Sequence, residues 1–310
     1  MAAGCKTRTR RPRRGLAPFV FVITSLFSTG AAAETILFVG NSFFFGAGSP
    51  VKPYGAQTVT DLNGTGFGGV PALFKAFADQ AGLAYVVSLE TVPGANLDLH
   101  HTEKRALLDA SWDYVVMSGH STLDRDQPGD PAKLVRYTGL LVEMFQRRNP
   151  DVQVYLNATW SRADQTYLKS GHWYGKPITA MASDVRAAYD LAAKQSTLIK
   201  AVIPTGQAWI RAMDTGVADS NPYDGLTFGK IDLWTHDQYH ASSYGYYLEA
   251  LMIFGRVTRR DPQMLGRRET AADALGLSPD HVQALQRVAH DELAAAGLRF
   301  SDALPLPAAR

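Results

Sequence analysis

The feature that most constrains the fold of this chain is the alternation, after residue 34, of short apolar β-rich runs with segments of helical periodicity. The predicted strands lie at 35–39, 85–90, 114–117, 152–156 and 200–203. The predicted helices lie at 70–80, 97–108, 131–146, 178–194, 243–257 and 279–293. Strands that alternate with helices form parallel sheets covered on both faces, so this order predicts an α/β fold around a parallel sheet of about five strands.

A ligand site is expected at one edge of this sheet, because ligands of such folds bind outside the carboxyl ends of the strands. Ser42, Gly94 and Ser118 each fall just after a predicted strand. With 310 residues, 46% of them hydrophobic, the chain can bury one sizeable core. We predict one catalytic domain over residues 34–262 and a helical C-terminal appendage over residues 263–310.

Residues 1–33 have the pattern of a secretory signal peptide. They hold six Lys and Arg residues and no acid, then an apolar run from Gly15 to Phe27, and they end in three alanines. This pattern predicts cleavage after Ala33 and a secreted or periplasmic protein. The apolar run is short for a membrane span, and an uncleaved anchor is the alternative. No later segment is apolar enough to predict further contact with a membrane.

Charge and cysteine content exclude several classes of function. Six of the 31 Lys and Arg residues but none of the 29 acidic ones lie in residues 1–33, so the rest of the chain has a formal net charge of −4. Such a chain gives no electrostatic reason to bind nucleic acid. The single cysteine, Cys5, lies within the predicted signal peptide, so the predicted mature chain has neither thiol chemistry nor a disulfide.

Two short motifs carry the candidate chemistry. Ser42 follows the first predicted strand in the sequence Gly-Asn-Ser, where a sheet edge can present its hydroxyl, and a serine needs an adjacent base to act as a nucleophile. Asp237 and His240 are three residues apart, so the carboxylate can hold the imidazole in one tautomer and leave its Nε2 free as that base. Each motif alone is common by chance.

Together the two motifs resemble those of the SGNH/GDSL hydrolase superfamily. The run from Ile36 to Phe43 is similar to the "ILFIGNSF" opening of a bacterial branch of that superfamily, and the resemblance extends roughly from Thr35 to Pro262. It implies a flavodoxin-like three-layer α/β/α sandwich and a serine hydrolase mechanism without a cofactor. The family's nucleophile maps onto Ser42, and its acid and base onto Asp237 and His240.

The resemblance also implies an oxyanion hole, where this chain departs from the family pattern. The family uses the backbone N–H of the nucleophile, here Ser42, a glycine that maps onto Gly94, and an asparagine side chain after the next strand. This chain has Ser-Gly-His-Ser at 118–121 and no asparagine there. His120 or Ser121 could donate instead, Asn96 and Asn157 are more distant candidates, and the third donor stays open at this point.

The implied substrate is a carboxylic ester. Because the protein is predicted to be exported, the first candidate is an acyl ester of a carbohydrate. Trp160 and Trp173 lie in or beside loops after the fourth predicted strand, where they could stack on sugar rings. No cofactor is called for. The glycine-rich run at 64–69 matches a dinucleotide fingerprint but follows a polar loop rather than a strand, so it does not predict a nucleotide site.

Two other functions stay open. His236 and His240 flank Asp237 in a pattern similar to a zinc-hydrolase motif, which requires both histidines on one helix face. The next predicted helix begins only after His240, which argues against zinc. The missing asparagine favours the other alternative, a non-catalytic carbohydrate-binding protein on the same fold.

Overall fold

In a computed structural model, which describes residues 1–5 and 33–301, six strands form one parallel sheet in the order β2-β3-β1-β4-β5-β6. The strands are β1 Glu34–Gly40, β2 Thr60–Asp61, β3 Tyr85–Thr91, β4 Tyr114–Met117, β5 Gln153–Asn157 and β6 Ile199–Ile203. The predicted α/β fold with a parallel sheet is confirmed, and the additional strand is the two-residue edge strand β2. The predicted signal peptide lies outside the described residues, apart from residues 1–5 and 33.

Helices fill the predicted positions between the strands. They are α1 Ser42–Phe45, α2 Gly69–Gln80, α3 Leu97–Glu103, α4 Arg105–Leu108, α5 Ala132–Arg148, α6 Ala163–Tyr167, α7 Thr179–Ala193, α8 Thr205–Asp214, α9 Ser243–Thr258, α10 Thr270–Ala274 and α11 Pro279–Ala295. The predicted helix at 97–108 is divided into α3 and α4 at Lys104. Four helices, α1, α6, α8 and α10, were not predicted as separate elements.

The sheet separates two apolar cores, as in a three-layer sandwich. Along β1, Ile36 and Phe38 face a core shared with α2, α8, α9 and α11, whereas Leu37 and Val39 face a core shared with α5 and α7. All four side chains are fully buried. A strand buried on both faces explains why β1 has a continuous apolar sequence rather than an alternating one.

The segment after Pro262 packs on the α9 face of the sheet. Leu285 and Leu293 of α11 belong to the same core as α9, and a Cβ atom at Gly255 would lie only 2.4 Å from the Leu293 side chain. Gly255 therefore permits the close approach of α11 to α9. The predicted appendage is helical in its described part, and the boundary at residue 262 stays a prediction. No helix of the described residues has the length and apolar character needed to cross a membrane.

Candidate active site

Ser42 lies at the carboxyl end of the central strand β1, as the first residue of α1. The preceding Asn41 is buried, and its side-chain oxygen accepts a 3.2 Å hydrogen bond from the N–H of Phe43. Its amide nitrogen donates to the carbonyls of Ala95, at 3.0 Å, and Gly119, at 2.9 Å. Asn41 thus joins the loops after β3 and β4 to the end of β1, with Ser42 between them.

The segment around His240 is fastened to the same loop. The Tyr246 hydroxyl donates to the carbonyl of Ser42 at 3.3 Å, and the Thr235 hydroxyl donates to the carbonyl of Gly48 at 3.0 Å. The Phe43 ring lies 5.8 Å from the His240 ring, measured between centroids. The structure therefore brings the predicted nucleophile and the predicted base to one edge of the sheet.

Asp237 and His240 form a hydrogen-bonded pair within one turn. Asp237 Oδ2 lies 2.6 Å from His240 Nδ1, and its Oδ1 accepts the backbone N–H groups of Tyr239, at 3.0 Å, and His240, at 2.9 Å. Gln238 adopts φ of 55°, the left-handed conformation that closes this turn. Burial acts to raise the pKa of Asp237, but these hydrogen bonds outweigh it and lower the pKa, so the carboxylate is ionised at neutral pH.

The other nitrogen of the His240 ring is available for chemistry. Nε2 is buried and has no hydrogen-bond partner within residues 33–301, so it is not bonded to the Ser42 hydroxyl in this structure. The Tyr239 ring stacks on the imidazole with centroids 4.0 Å apart. Catalytic hydrogen bonds are often long without substrate, so the open Nε2 is compatible with a general base.

Gly94 lies in the loop after β3 in a left-handed backbone conformation that favours glycine. Its φ is 65°, which disfavours any residue with a Cβ atom, and such an atom would lie 2.3 Å from Nη2 of Arg125. That nitrogen donates to the Gly94 carbonyl at 3.4 Å. Within residues 33–301, the N–H groups of Gly94 and Ser42 donate to no other group, so both can serve an oxyanion.

The segment 118–121 after β4 contains both remaining oxyanion candidates. The backbone N–H of His120 donates to the side-chain oxygen of Asn96 at 3.1 Å, and the Asn96 amide donates to the carbonyl of Leu123 at 2.7 Å. Asn96 therefore holds this loop in shape. Burial and the nearby positive charge of Arg162 lower the pKa of His120 to about 4, so its ring is neutral at pH 7.

Arg162 is a functional candidate that the sequence did not single out. Its side chain is 12% exposed and makes two hydrogen bonds to Asp164, at 3.0 and 2.6 Å. Its guanidinium carbon lies 3.5 Å from the centre of the Tyr239 ring, and its Nη1 donates to the Ser121 hydroxyl at 3.3 Å. Its position after β5, at the carboxyl edge of the sheet, is the one signal that could have identified it.

The interpretation of Trp160 and Trp173 as sugar-stacking residues does not fit the structure. Both side chains are fully buried, at 0% exposure, so neither offers a ring face to a ligand. The Trp160 ring stacks between Phe43 and Trp209, with centroids 4.2 and 4.5 Å away. Trp160 instead supports the residue that follows Ser42, while Trp173 donates its indole N–H to Asp184.

The zinc alternative is not favoured by the surroundings of its histidines. His240 Nδ1 is engaged by Asp237, and His236 Nδ1 lies 3.3 Å from the Thr235 hydroxyl. In the described part of the chain, no three His, Cys, Asp or Glu residues are grouped as metal ligands.

A cavity opens beside the candidate oxyanion loops. It has a volume of about 290 Å³ and is bordered by Gly94 and His120. The rest of its wall is rich in charged side chains, among them Asp98, Glu103, Asp124, Arg125, Asp126 and Lys133. Such a wall suits a ligand with many hydroxyl groups better than an alkyl chain.

A buried polar network supports the carboxyl ends of β4 and β5. Glu249 of α9 is fully buried, and its Oε1 accepts the amide of Asn157 at 2.6 Å. Asn157 in turn accepts the hydroxyls of Thr205, at 2.6 Å on its side chain, and Ser118, at 3.3 Å on its backbone. Burial raises the pKa of Glu249 well above its ordinary value of 4.5, although the Asn157 bond acts in the opposite direction.

The Glu249→Gln variant is expected to become progressively more stable than the wild type as the pH rises. In the folded wild type Glu249 keeps its proton above pH 4.5, whereas in the unfolded chain it loses it. The free energy of unfolding of the wild type therefore falls as the pH rises above 4.5, by about 1.4 kcal/mol for each unit by which folding raises the pKa of Glu249. Glutamine fills the same space without that proton. Urea unfolding of both proteins at about pH 5 and about pH 8 measures the difference, and a pH-independent difference would contradict the prediction.

Comparison with solved structures places this fold among known ones. The chain is similar to a DUF4886 family protein from Bacteroides uniformis ATCC 8492, with 18% identity and a TM-score of 0.57 over 89% of this chain and 100% of that chain. A family 3 carbohydrate esterase from Clostridium thermocellum has 13% identity and a TM-score of 0.46 over 72% of this chain and 94% of that one. A candidate GDSL-like lipase from Parabacteroides merdae ATCC 43184 has 16% identity and a TM-score of 0.48 over 73% and 95%.

At this level of identity, the likeness to the Bacteroides protein establishes the fold alone. That fold is the α/β arrangement implied by the SGNH/GDSL resemblance, which is confirmed in this respect. No protein-family model and no curated protein matches the sequence.

Proposed function

We propose that this chain is an exported serine esterase of the SGNH type, with Ser42 as nucleophile, His240 as general base and Asp237 as the carboxylate that orients the base. The observation that carries the proposal is the Asp237–His240 pair at the same sheet edge as Ser42, with a buried Nε2 that has no hydrogen-bond partner among residues 33–301. This pairing provides a fixed tautomer and a free base beside a serine, which are the requirements for nucleophilic catalysis.

The proposed reaction is acyl transfer to Ser42 and then to water. His240 Nε2 takes the proton of the Ser42 hydroxyl as its oxygen attacks the ester carbonyl. The carbonyl oxygen becomes an oxyanion that accepts the free N–H groups of Ser42 and Gly94. His240 then gives its proton to the departing alcohol, and a water molecule repeats the sequence on the acyl-enzyme.

We propose that the substrate is an ester of a polar alcohol, with acylated carbohydrate as the first class to test. The support is the cavity of about 290 Å³ beside Gly94 and His120, whose wall carries both acidic and basic side chains. The charged side chains of this wall can hydrogen-bond the hydroxyl groups of such an alcohol.

The first experiment combines covalent labelling with turnover. The purified chain is treated with a fluorophosphonate probe and digested, and the labelled residue is identified by mass spectrometry. In parallel, p-nitrophenyl acetate, butyrate and decanoate are hydrolysed with and without EDTA. We expect the label on Ser42, the fastest turnover with acetate, and no effect of EDTA.

Other outcomes would replace the proposal. Loss of activity in EDTA without labelling of Ser42 would favour a zinc hydrolase that uses His236 and His240. Neither labelling nor turnover, together with retained binding of acylated oligosaccharides, would favour a non-catalytic carbohydrate-binding protein. Export is tested separately, since a periplasmic or secreted product should begin at Glu34.

A further inference from the structure

We infer that Ser121 supplies the third hydrogen bond to the oxyanion, and that Arg162 is the positioning residue that orients the Ser121 hydroxyl. The inference rests on the proposed serine mechanism and names a donor for the position where the family asparagine is missing. It rests on the placement of Ser121, on the hydrogen-bonding capacity of its hydroxyl, and on the contacts that fix Arg162.

Ser121 belongs to a closed ring of contacts that includes the chain neighbours of Ser42. On one side, the Asn41 amide is bonded to the carbonyl of Gly119, two residues before Ser121. On the other side, the Phe43 ring lies 5.6 Å from the Tyr239 ring. Arg162 closes this ring, because its guanidinium lies over Tyr239 and also donates to Ser121.

The hydroxyl of Ser121 has a proton to give. Its oxygen accepts a 3.3 Å hydrogen bond from Nη1 of Arg162, and within residues 33–301 its O–H donates to no acceptor. Ser121 is buried, and a buried hydroxyl without an acceptor costs free energy that a ligand oxygen can recover. The positive charge of Arg162 also makes this O–H a stronger donor to an anion.

His120 is less suited to the same task. Its Nδ1 lies 2.9 Å from the Thr122 hydroxyl, which itself donates to the carbonyl of Asp124 at 2.7 Å. This 2.9 Å contact calls for the ring proton on Nδ1, whereas the backbone N–H of Thr122, 3.4 Å from Nδ1, calls for an unprotonated Nδ1. The shorter contact favours the proton on Nδ1. In the neutral ring the other nitrogen, Nε2, is an acceptor and cannot donate to an oxyanion.

Arg162 is held in one orientation by three partners. Asp164 binds two of its nitrogens, Tyr239 supports its flat face, and Ser121 receives a third nitrogen. A guanidinium held in this way loses little further freedom when it directs a hydroxyl. Its effect on the reaction should therefore pass through Ser121.

The test is a double-mutant cycle of Ser121→Ala and Arg162→Ala, with kcat and KM measured separately. Ser121→Ala is expected to lower kcat by about 10²- to 10³-fold with little change in KM, since the lost bond forms only in the transition state. Arg162→Ala should lower kcat in the same direction, and the double variant should be no slower than Ser121→Ala alone. Added guanidinium ion should restore part of the activity of Arg162→Ala and none to Ser121→Ala.

Two control variants make the result specific. His120→Gln should change kcat by less than about tenfold, well below the expected oxyanion loss. Arg211→Ala removes an arginine that is likewise paired with a carboxylate, Glu292, outside the candidate site, and should leave kcat unchanged. Thermal melting establishes that each variant is folded.

The inference is overturned if Ser121→Ala keeps wild-type kcat, if His120→Gln shows the larger loss, or if the two losses of the cycle simply add. Fluorophosphonate labelling separates these results from failure of the underlying mechanism. Labelling of Ser42 in the wild type with an unaffected Ser121→Ala variant rejects only the third donor. No labelling of Ser42 in the wild type rejects the serine mechanism and this inference together.

Discussion

The Ser42→Ala variant is expected to lose ester hydrolysis by about 10⁴- to 10⁶-fold in kcat, the range found when a serine nucleophile is removed. Alanine has no oxygen to form the acyl-enzyme, so only the N–H donors and substrate binding can still accelerate attack by water. Folding should be unaffected, because the Ser42 side chain makes no hydrogen bond within residues 33–301 that alanine would remove. Initial rates at high enzyme concentration and thermal melting measure the two effects.

Ser49→Ala is the matched control for this prediction. Ser49 lies on the loop that follows α1, and its hydroxyl is 3.1 Å from that of Ser243. Its removal deletes this hydrogen bond and the one accepted from the backbone N–H of Val51 at 3.3 Å, each worth about 1 kcal/mol. No reacting group is lost, so kcat should stay near the wild-type value. Wild-type activity in Ser42→Ala would reject the proposed nucleophile.

Asp237→Asn is expected to lower kcat by about 10⁴-fold while preserving the turn, as such a change does when it reverses a histidine tautomer. The asparagine oxygen can keep the two backbone N–H groups that Asp237 Oδ1 accepts. Its NH₂ group, however, would face His240 Nδ1, where the carboxylate now accepts. The imidazole proton would then move to Nε2, and the base would be occupied.

The pH dependence of the rate tests the role of Asp237 in the wild type. In the wild type, Asp237 has a lowered pKa and stays ionised above the acid range, so protonation of Asp237 should not limit the activity near neutral pH. His236→Gln is the neighbouring control and should keep full activity. Loss of activity in His236→Gln, with an active Asp237→Asn, would instead point to metal ligation by His236.

The residues proposed for the reaction could be predicted because their evidence is local in the sequence. Ser42 lies just after a strand with the continuous apolar run 36–39, and Asp237 and His240 share one turn. The parallel sheet likewise follows from the order of the strands. Gly94 needed the family resemblance, and its positive φ gives the physical reason for a glycine there.

The sequence could place Arg162 after the fourth predicted strand but could not assign it a role, because Ser121 and Tyr239 are brought to it by folding. Its bond to Ser121 joins residues 41 positions apart, in loops after two different strands. Trp160 was misinterpreted for a similar reason, since its position in a loop suggests exposure, whereas the folded chain places it between Phe43 and Trp209. The strand β2 has only two residues, too few for any sequence pattern to mark it.

The uneven spacing of the proposed site along the chain has a consequence for how activity arises during folding. The Asp237–His240 pair closes within three residues, a short loop that costs little entropy and can form early. The contact between α9 and the nucleophile loop, by contrast, closes 204 residues in the bond from Tyr246 to Ser42. In a folding chain the Asp237–His240 pair can therefore form before it reaches Ser42, and the chain would become competent only when these two distant segments have met.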